Sequence, residues 1–313
     1  MYRTFQSGDE GSIVQLWNDV MPADPISQVR FRNQVLLDVN FDPEGLIIAV
    51  DGEKIIGAML AITRKVPMLG GNLETDNGWI TFFMVQQDVQ NRGIGKGLLD
   101  RAILYLRKQG VSNVYFSSYA PNYFLPGLDE KAYPSGYAFL QKEGFSRLYS
   151  PVAMHRTLTD YHYPASVNKI LNERVLEGYI VESVKDGDLH ALIQFANDAF
   201  NPDWGRAIRD GLLQGMNPAQ IVVAKKADRI VGFAMYGGYE GILERFGPFG
   251  VDASEQGKGL GKVLLHNTLF LMKQQSIQGA WFLWTSETSA AGHLYAKNGF
   301  STYRKFHVMV KKL

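Results

Sequence analysis

The sequence of 313 residues contains no cysteine. This absence excludes disulfide scaffolds, thiolate metal sites and cysteine nucleophiles, and it is compatible with a reducing compartment. An excess of either charge is also missing, because 32 Lys and Arg residues face 31 Asp and Glu residues. A chain with a net charge of +1 has no long-range field to recruit nucleic acid. Any anion that binds must therefore be held by local geometry.

Long apolar runs are missing as well. No run approaches the roughly 18 residues of a membrane span, and residues 1–5 lack the basic and apolar regions of a secretion signal. We therefore expect a cytoplasmic protein without a membrane partner. With 46% hydrophobic and 20% charged residues the chain has an ordinary globular composition. At roughly 150 residues per domain, its length predicts two domains.

An internal repeat is the strongest pattern in the sequence. The segment VQQDVQNRGIGK at 85–96 recurs as VDASEQGKGLGK at 251–262, an offset of 166 residues. The offset continues into two amphipathic helices, whose apolar positions are Leu98, Leu99, Ala102, Ile103 and Leu106, and Leu264, Leu265, Thr268, Leu269 and Met272. Each helix is followed by an apolar strand and a short helix that ends in Gly-Phe. The repeat predicts two α/β domains with mixed sheets at 1–158 and 178–313, joined by a linker at 159–177.

A strand, a glycine-rich turn and a helix together form a site for a phosphate. The first amides of a helix have no partner within it and carry the positive end of its dipole, and glycines let an anion approach them. The dinucleotide-binding spacing G-x-G-x-x-G does not fit glycines at 93, 95 and 97 or at 257, 259 and 261. The P-loop motif does not fit either, because Val263 follows Gly261-Lys262. Glycine turns are also common as mere connections, and the neighbouring lysines can simply be solvated.

The motif that fits twice is Q/R-x-x-G-x-G/A, at 90–95 and 256–261. Here the chain resembles the GCN5-related N-acetyltransferase (GNAT) family, with one copy of the pattern in each half. The resemblance implies two tandem domains, each a mixed, mostly antiparallel sheet flanked by helices, and acetyl-coenzyme A as cosubstrate without a metal. It also implies that the cosubstrate contacts Val85, Gln90, Asn91, Arg92, Gly93, Ile94, Gly95 and Lys96 in the first domain, and Phe249, Val251, Gln256, Gly257, Lys258, Gly259, Leu260, Gly261 and Lys262 in the second.

The two halves differ at the position of the family's general acid. That acid is commonly a Tyr four residues before the Gly of the Gly-Phe pair, which is Tyr295 in the second half and Leu140 in the first. Tyr137, one helical turn earlier, is an alternative in the first half, although packing explains it better. The resemblance therefore implies that the second domain is catalytic and the first is degenerate or binding-only.

The general base is less well defined by the sequence. Glu244, seven residues before Val251, is our choice in the second half, with Glu240 behind it. Glu74 and Asp76 are the candidates in the first half. A further difference is an excess of eleven residues within 120–136, because 50 residues separate Gln90 from Leu140 but 39 separate Gln256 from Tyr295. This loop is a lid, a substrate wall or a contact between domains.

The implied function is an N-acetyltransferase that moves acetyl from acetyl-coenzyme A to a primary amine of a small molecule or peptide. The amine attacks directly, with Tyr295 as general acid. One alternative is an acyl-coenzyme A binding or regulatory protein without turnover, and another is a related acyl or aminoacyl transferase. The sequence is also compatible with a homodimer.

Overall fold

A computed structural model describes residues 1–68 and 70–313 of the chain. These residues form two compact units that are described separately below. The first unit consists of Met1–Pro67, Asn72–Pro151 and Lys305–Leu313. The second unit consists of Met68–Gly71 and Val152–Arg304.

The first unit is built on a seven-stranded sheet. Six of its strands come from the first half of the sequence and one comes from the second half. Its strands are β1 (Tyr2–Thr4), β2 (Leu46–Asp51), β3 (Lys54–Ile62), β4 (Asn77–Val85), β5 (Asn113–Phe116), β6 (Ser146–Tyr149) and β14 (Val308–Lys312). Its helices are α1 (Glu10–Val20), α2 (Gln28–Phe31), which continues into a π-helix at Arg32–Leu36, α3 (Ile94–Lys108) and α4 (Pro134–Lys142). The order in the sheet is β1-β2-β3-β4-β5-β14-β6. Only the pairing of β4 with β5 is parallel within this sheet of described strands, so the mixed, mostly antiparallel sheet is confirmed.

The second unit contains two smaller sheets. Its strands are β7 (Val152–Thr157), β8 (Tyr179–Ser183), β9 (Ile221–Lys226), β10 (Arg229–Tyr236), β11 (Phe246–Val251), β12 (Gly279–Thr285) and β13 (Ser301–Lys305). Its helices are α5 (Ala165–Leu176), α6 (Leu189–Ala199), α7 (Pro202–Leu213), α8 (Leu260–Gln274) and α9 (Ala290–Lys297). The strand orders are β11-β10-β9-β8 and β12-β7-β13. A parallel bridge between Arg245 and Trp281 links the start of β11 to β12.

The two halves of the sequence exchange a strand. The strand β7, from the first half, lies between β12 and β13 of the second unit. The strand β14, from the second half, lies between β5 and β6 of the first unit. This organisation differs from a simple division after residue 158, because backbone pairing assigns each strand to the sheet that it joins rather than to its neighbours in sequence.

The repeat does predict the core correctly. Of the helix positions that it identified, Leu98, Leu99, Ala102 and Leu106 are buried against the first sheet, and their counterparts on α8 are all buried. The exchanged strands share these cores, since Met309 packs with the first group and Met154 with the second. The predicted linker contains α5, which packs on α8 and β8. Among the described residues, no helix is long and apolar enough to cross a membrane.

Candidate active site

Both predicted glycine turns form the same backbone structure. The helix α3 begins after Gly93 at a φ of 83°, and α8 begins after Gly259 at a φ of 81°. These left-handed conformations favour glycine at both positions. In each unit the turn follows a strand and presents the unpaired first amides of a 15-residue helix. Each turn therefore has the backbone of an anion site.

The two turns differ in what lies over them. A Cβ atom at Gly93 would have no atom within 4 Å, whereas one at Gly259 would lie 2.8 Å from Cγ2 of Ile170 on α5. The next residue follows the same trend, because Ile94 is half-buried but Leu260 is 1% exposed. The first turn is therefore accessible, and helix α5 covers the second.

The lysines beside both turns are paired with carboxylates. In the second unit Lys258 donates to Glu255 Oε2 at 2.7 Å and to the Tyr179 hydroxyl at 3.1 Å. The hydrogen bond with Glu255 raises the pKa of Lys258. In the first unit Arg92 is exposed, and Lys96 pairs with Asp100 on the surface of α3 at 2.9 Å. The lysine of each turn is thus already engaged within its own unit.

An open cleft of about 900 Å³ runs through the first unit from its glycine turn. The strand β4 pairs with β5 at residues 77–80 and then continues to Val85 paired with β3 on its other side, while β5 ends at Phe116. The gap between the diverging strands is the cleft. Of the predicted contacts in this half, Val85, Gln90, Asn91, Gly93, Gly95 and Lys96 line it. The Gln90 side chain donates to the Val85 carbonyl at 2.9 Å and thereby ties the turn to the strand.

A bulge in β4 places a hydroxyl group in the cleft wall. On the neighbouring strand β3, Leu60 lies opposite Phe82, and the next residue, Ala61, lies opposite Ile80. Thr81 is therefore the additional residue that forms the bulge in β4. Its side chain is 6% exposed, and Oγ1 has no hydrogen-bond partner among the described residues. Because a buried hydroxyl without a partner is unfavourable, this group is available to a ligand in the cleft.

The far end of the cleft is aromatic. The ring centroids of Trp17 and Phe124 lie 4.6 Å apart, and those of Trp17 and Phe82 lie 5.1 Å apart. Beside them the hydroxyl of Tyr133 donates to Asp24 Oδ2 at 2.5 Å. Asp129, which is 5% exposed, also lines the cleft. We refer to Trp17, Phe82 and Phe124 as the aromatic end.

The eleven-residue excess of the first half forms one wall of this cleft. Residues Phe124, Leu125, Gly127, Leu128, Asp129, Tyr133, Ser135 and Gly136 all line it. The wall is fastened to the segment before β14, since Leu128 and His307 exchange two backbone hydrogen bonds of 2.9 and 2.8 Å. The ring of His307 also contacts Ser150 Oγ at 2.8 Å and Glu130 Oε2 at 3.2 Å. The sequence left three roles open for this loop, namely a lid, a substrate wall or a contact between domains. The contacts described here fit a substrate wall.

The second unit has a larger aromatic cluster at the corresponding positions. Tyr295 packs against Phe282 at 4.5 Å, Phe300 at 5.4 Å and Phe249 at 5.8 Å between ring centroids. At the equivalent positions of the first unit, Ile80 replaces Phe246 and Leu140 replaces Tyr295. The second unit therefore places two more rings beside its strands β11 and β12.

A second group of rings packs against β11. Phe200 stacks on Trp204 at 4.4 Å, and a Cβ atom at Gly250 of β11 would lie 2.3 Å from the tip of Phe200. The predicted contact residue Phe249 is 9% exposed and belongs to the core, while Val251 and Gly261 remain half-buried. Gln256 and Gly257 are exposed at the turn.

The predicted acid of the second unit is buried, whereas the predicted base is exposed. Tyr295 is 6% exposed, its burial raises its pKa, and its hydroxyl has no hydrogen-bond partner among the described residues. Glu244 is exposed, and its carbonyl group accepts the amide of Trp281 at 3.0 Å. Glu240 lies 3.9 Å from Arg245.

The alternatives in the first half are also engaged elsewhere. Glu74 is paired with Arg64 at 2.6 Å, and Asp76 is bonded through its carbonyl to the amides of Ser112 and Asn113. Tyr137 packs against the ring of His307 at 5.3 Å. Sequence reasoning missed Thr81, Asp129 and Tyr133. The length of the 120–136 loop was the signal that pointed to the last two.

Two family models match the chain. The model described as the acetyltransferase (GNAT) family matches residues 12–124, and the one described as the acetyltransferase (GNAT) domain matches residues 217–302. A search of curated proteins returned no match.

Solved structures share the fold at low sequence identity. One is a GCN5-related glucosamine N-acetyltransferase region of a fungal multi-domain GH3 beta-N-acetylglucosaminidase, with 19% identity and a TM-score of 0.81 over 99% of this chain. This chain spans 38% of that fungal protein. A GCN5-related N-acetyltransferase from Sphaerobacter thermophilus has 15% identity and a TM-score of 0.72, and the match covers 100% of this chain and 95% of that one.

A third structure is a tandem GNAT protein from the clavulanic acid biosynthesis pathway, without acetyl-coenzyme A. It has 15% identity and a TM-score of 0.64, with 100% of this chain and 98% of that one covered. The matched pair of glycine turns, the two family models and these neighbours agree. The chain belongs to the GNAT family as a tandem member and is an acyltransferase.

Proposed function

We propose that the first unit carries out acetyl transfer from acetyl-coenzyme A to a primary amine, and that the second unit has a structural role. The observation that carries this proposal is the open cleft of about 900 Å³, which joins an accessible glycine turn to a buried polar and aromatic end. In the second unit, Ile170 covers the turn and Tyr295 packs into an aromatic cluster with Phe282. The position of Tyr295 alone implied the opposite assignment, in which the second unit is catalytic.

The shape and charge of the cleft fit acetyl-coenzyme A. The pyrophosphate would lie on the first amides of α3, where a Cβ atom at Gly93 would meet no atom within 4 Å and where Lys96 and Lys142 supply positive charge. The pantetheine arm would follow the free edge of β4 from Val85 towards Thr81, since the unpaired backbone there can bond an amide-bearing chain. The acetyl group would then lie next to the aromatic end.

The reaction needs an unprotonated amine. Its nitrogen attacks the thioester carbonyl, so that a C–N bond forms and the C–S bond breaks. The amine loses one proton and the departing thiolate takes one up, giving an amide and free coenzyme A. Leu140 stands where the family's tyrosine would be, but an ordinary thiol has a pKa near 8.5. A thiolate is therefore a competent leaving group, and water in the open cleft can return its proton.

A matched pair of substitutions tests which unit binds the cosubstrate. Gly95→Glu places a carboxylate at the first turn, and Gly261→Glu places one at the equivalent position of the second. A Cβ atom at either glycine meets its nearest neighbours at 3.5 to 3.6 Å, so the steric demands are similar. We expect Gly95→Glu to weaken acetyl-coenzyme A binding by about 100-fold in calorimetry, since charge repulsion replaces the anion site, and Gly261→Glu to leave it unchanged.

Turnover is measured with the same proteins as thiol release with glucosamine, the amine in the name of the fungal neighbour. Loss of binding only in Gly261→Glu would overturn the proposal. Thermal melting checks that both variants fold, and Lys96→Glu against Lys262→Glu provides a second pair at exposed and half-buried positions. Binding without turnover towards any primary amine would instead support a regulatory protein.

A further inference from the structure

The segment that follows β5, residues 117–125, brings Ser117, Phe124 and Leu125 into the lining of the cleft. We refer to these three residues as the acceptor side. We propose that Tyr119 is a positioning residue for this segment, which it fixes through a buried polar network so that the amine meets the acetyl group in the correct place. The inference rests on the proposed function of the same cleft. Tyr119 itself lies behind the wall and is not among the described residues that line the cleft.

The backbone of this segment depends on support from its surroundings. Ser117 and Ser118 both have a φ of 59°, in the left-handed region that residues with a Cβ atom rarely adopt. Such residues persist only where the surrounding contacts determine their conformation. The segment begins where β4 and β5 diverge, because the Ser117 amide donates to the Ile80 carbonyl at 2.8 Å. The Ser117 hydroxyl donates to the Leu125 carbonyl and thereby closes the segment into a loop.

A buried polar network supplies this support from behind. Asn40 is 1% exposed, and its Oδ1 accepts the amides of Lys65 and Val66, both at 2.8 Å. These bonds determine the orientation of the Asn40 side chain, so its Nδ2 donates to the Tyr119 hydroxyl at 2.7 Å. The hydroxyl in turn donates to Asp38 Oδ1 at 3.2 Å. The Tyr119 hydroxyl is therefore satisfied both as an acceptor and as a donor.

The same network holds the segment at two further residues. Asp38 is 7% exposed, and its Oδ2 accepts Asn122 Nδ2 at 2.6 Å. Arg64 Nη2 donates to the Ala120 carbonyl at 2.8 Å, and the guanidinium lies 5.0 Å from the centroid of the Tyr119 ring. The segment is thus fixed at residues 119, 120 and 122, none of which is in the described lining of the cleft.

The network and the glycine turn support different parts of the cleft. In the proposed binding mode the cosubstrate extends from α3 along β4, and its acetyl group lies next to Phe124. The described bonds of the Tyr119 hydroxyl are to Asn40 and Asp38, which belong to neither element. Loss of this hydroxyl should therefore shift the amine and leave the cosubstrate in place. A misplacement of about 1 Å can cost about 100-fold in rate, so a small shift is measurable.

Tyr119→Phe tests this role, because it removes the hydroxyl and keeps the ring beside Arg64. Tyr105→Phe is the matched control, since Tyr105 is also buried in the first unit and its hydroxyl donates to a carboxylate, Asp42 Oδ2, at 3.3 Å. Glucosamine is the acceptor probe. We expect Tyr119→Phe to lower kcat/KM for glucosamine by about tenfold or more, with the acetyl-coenzyme A Kd within about twofold of wild type. Tyr105→Phe should keep both quantities within about twofold.

Amide hydrogen exchange provides a measurement that needs no amine. We expect the amides of residues 117–125 to exchange faster in Tyr119→Phe and at the wild-type rate in Tyr105→Phe, since only the first substitution releases the segment. Asn122→Ala removes another bond to Asp38 from a half-buried position, and it repeats both measurements if Tyr119→Phe does not fold.

The inference is overturned if the two tyrosine variants lower kcat/KM equally, or if exchange of residues 117–125 is the same in both. It is also overturned if Tyr119→Phe weakens acetyl-coenzyme A binding as strongly as it lowers kcat/KM. Failure of the proposed function has a different signature, which is the absence of acetyl-coenzyme A binding that depends on Gly95 and is measured before any amine is added.

Discussion

The first and second units share a turn, a helix and a core, but they differ in what surrounds the turn: described residues at the first turn line a cleft of about 900 Å³, and α5 packs over the second. Gly93 and Gly259 have nearly the same φ, 83° and 81°. The side chains above them differ, with open space over one and Ile170 over the other. The comparison teaches that a glycine motif determines backbone geometry, while access depends on residues that lie far from it in sequence.

The tyrosine teaches a related lesson. The second half keeps Tyr295 in the position of the family's acid, and the first half has Leu140. In the structure Tyr295 packs among Phe249, Phe282 and Phe300, and Leu140 is fully buried in the core of the first unit. A tyrosine in the correct register can therefore be a core residue, since a phenol ring also fills space well.

Deletion of Lys305–Leu313 should have the largest effect on this comparison. Phe306, Val308 and Met309 are fully buried, and β14 pairs on both sides within the first sheet. We expect the truncated chain to lose acetyl-coenzyme A binding and turnover by more than about 100-fold, because several buried side chains and an inner strand are removed. Binding is measured by calorimetry, with Lys312→Ala at an exposed position as control. Retention of binding by the truncated chain would contradict the role given to β14.

Substitution of Tyr295 separates packing from catalysis. Tyr295→Ala should destabilise the second unit by about 3–5 kcal/mol, since a large buried ring is lost. Tyr295→Phe keeps the ring and removes a hydroxyl without a partner, so we expect turnover within about twofold of wild type. Thermal unfolding and thiol release measure the two effects. A large loss of turnover in a folded Tyr295→Phe protein would restore the second unit as the catalytic one.

Thr81→Val tests the buried hydroxyl of the first cleft. Removing an unsatisfied buried hydroxyl should raise stability by up to about 1 kcal/mol, while turnover should fall by about tenfold if the hydroxyl bonds the substrate. Thr268→Val is the matched control in the second unit, where Oγ1 donates to the Leu264 carbonyl at 2.9 Å. There we expect a loss of roughly 0.5–1.5 kcal/mol and no change in turnover. Unchanged turnover in Thr81→Val would remove this hydroxyl from the site.

The smallest expected effect is a pH dependence of stability in the second unit. Burial lowers the pKa of His266, whose Nε2 contacts Asn298 Oδ1 at 2.8 Å. Below the ordinary histidine pKa of about 6.5, the unfolded chain binds a proton that the folded chain does not, so stability falls as the pH falls towards the lowered value. His266→Gln should flatten this part of the melting-temperature profile without affecting turnover. An equally steep profile in the variant would assign the dependence to other groups.

The sequence predicted the parts of the fold that local pattern determines. The repeat, the two amphipathic helices and the glycine turns follow from spacing, and the family assignment is confirmed by two models. The exchange of β7 and β14 could not be predicted in this way, because both strands are short, each begins with three apolar residues, and either sheet could accept them. The covering of the second turn by Ile170 could not be predicted either, because Ile170 belongs to the linker, which lies outside the repeat.

The position of β14 has a consequence for how the protein is made. A ribosome completes the first half of the chain early, and domains generally fold in that order during synthesis. Residues 308–312 nevertheless form the strand between β5 and β6. The nascent first unit therefore exposes two unpaired strand edges until residues 308–312 have been translated, so the sheet that begins first is completed only by the second half.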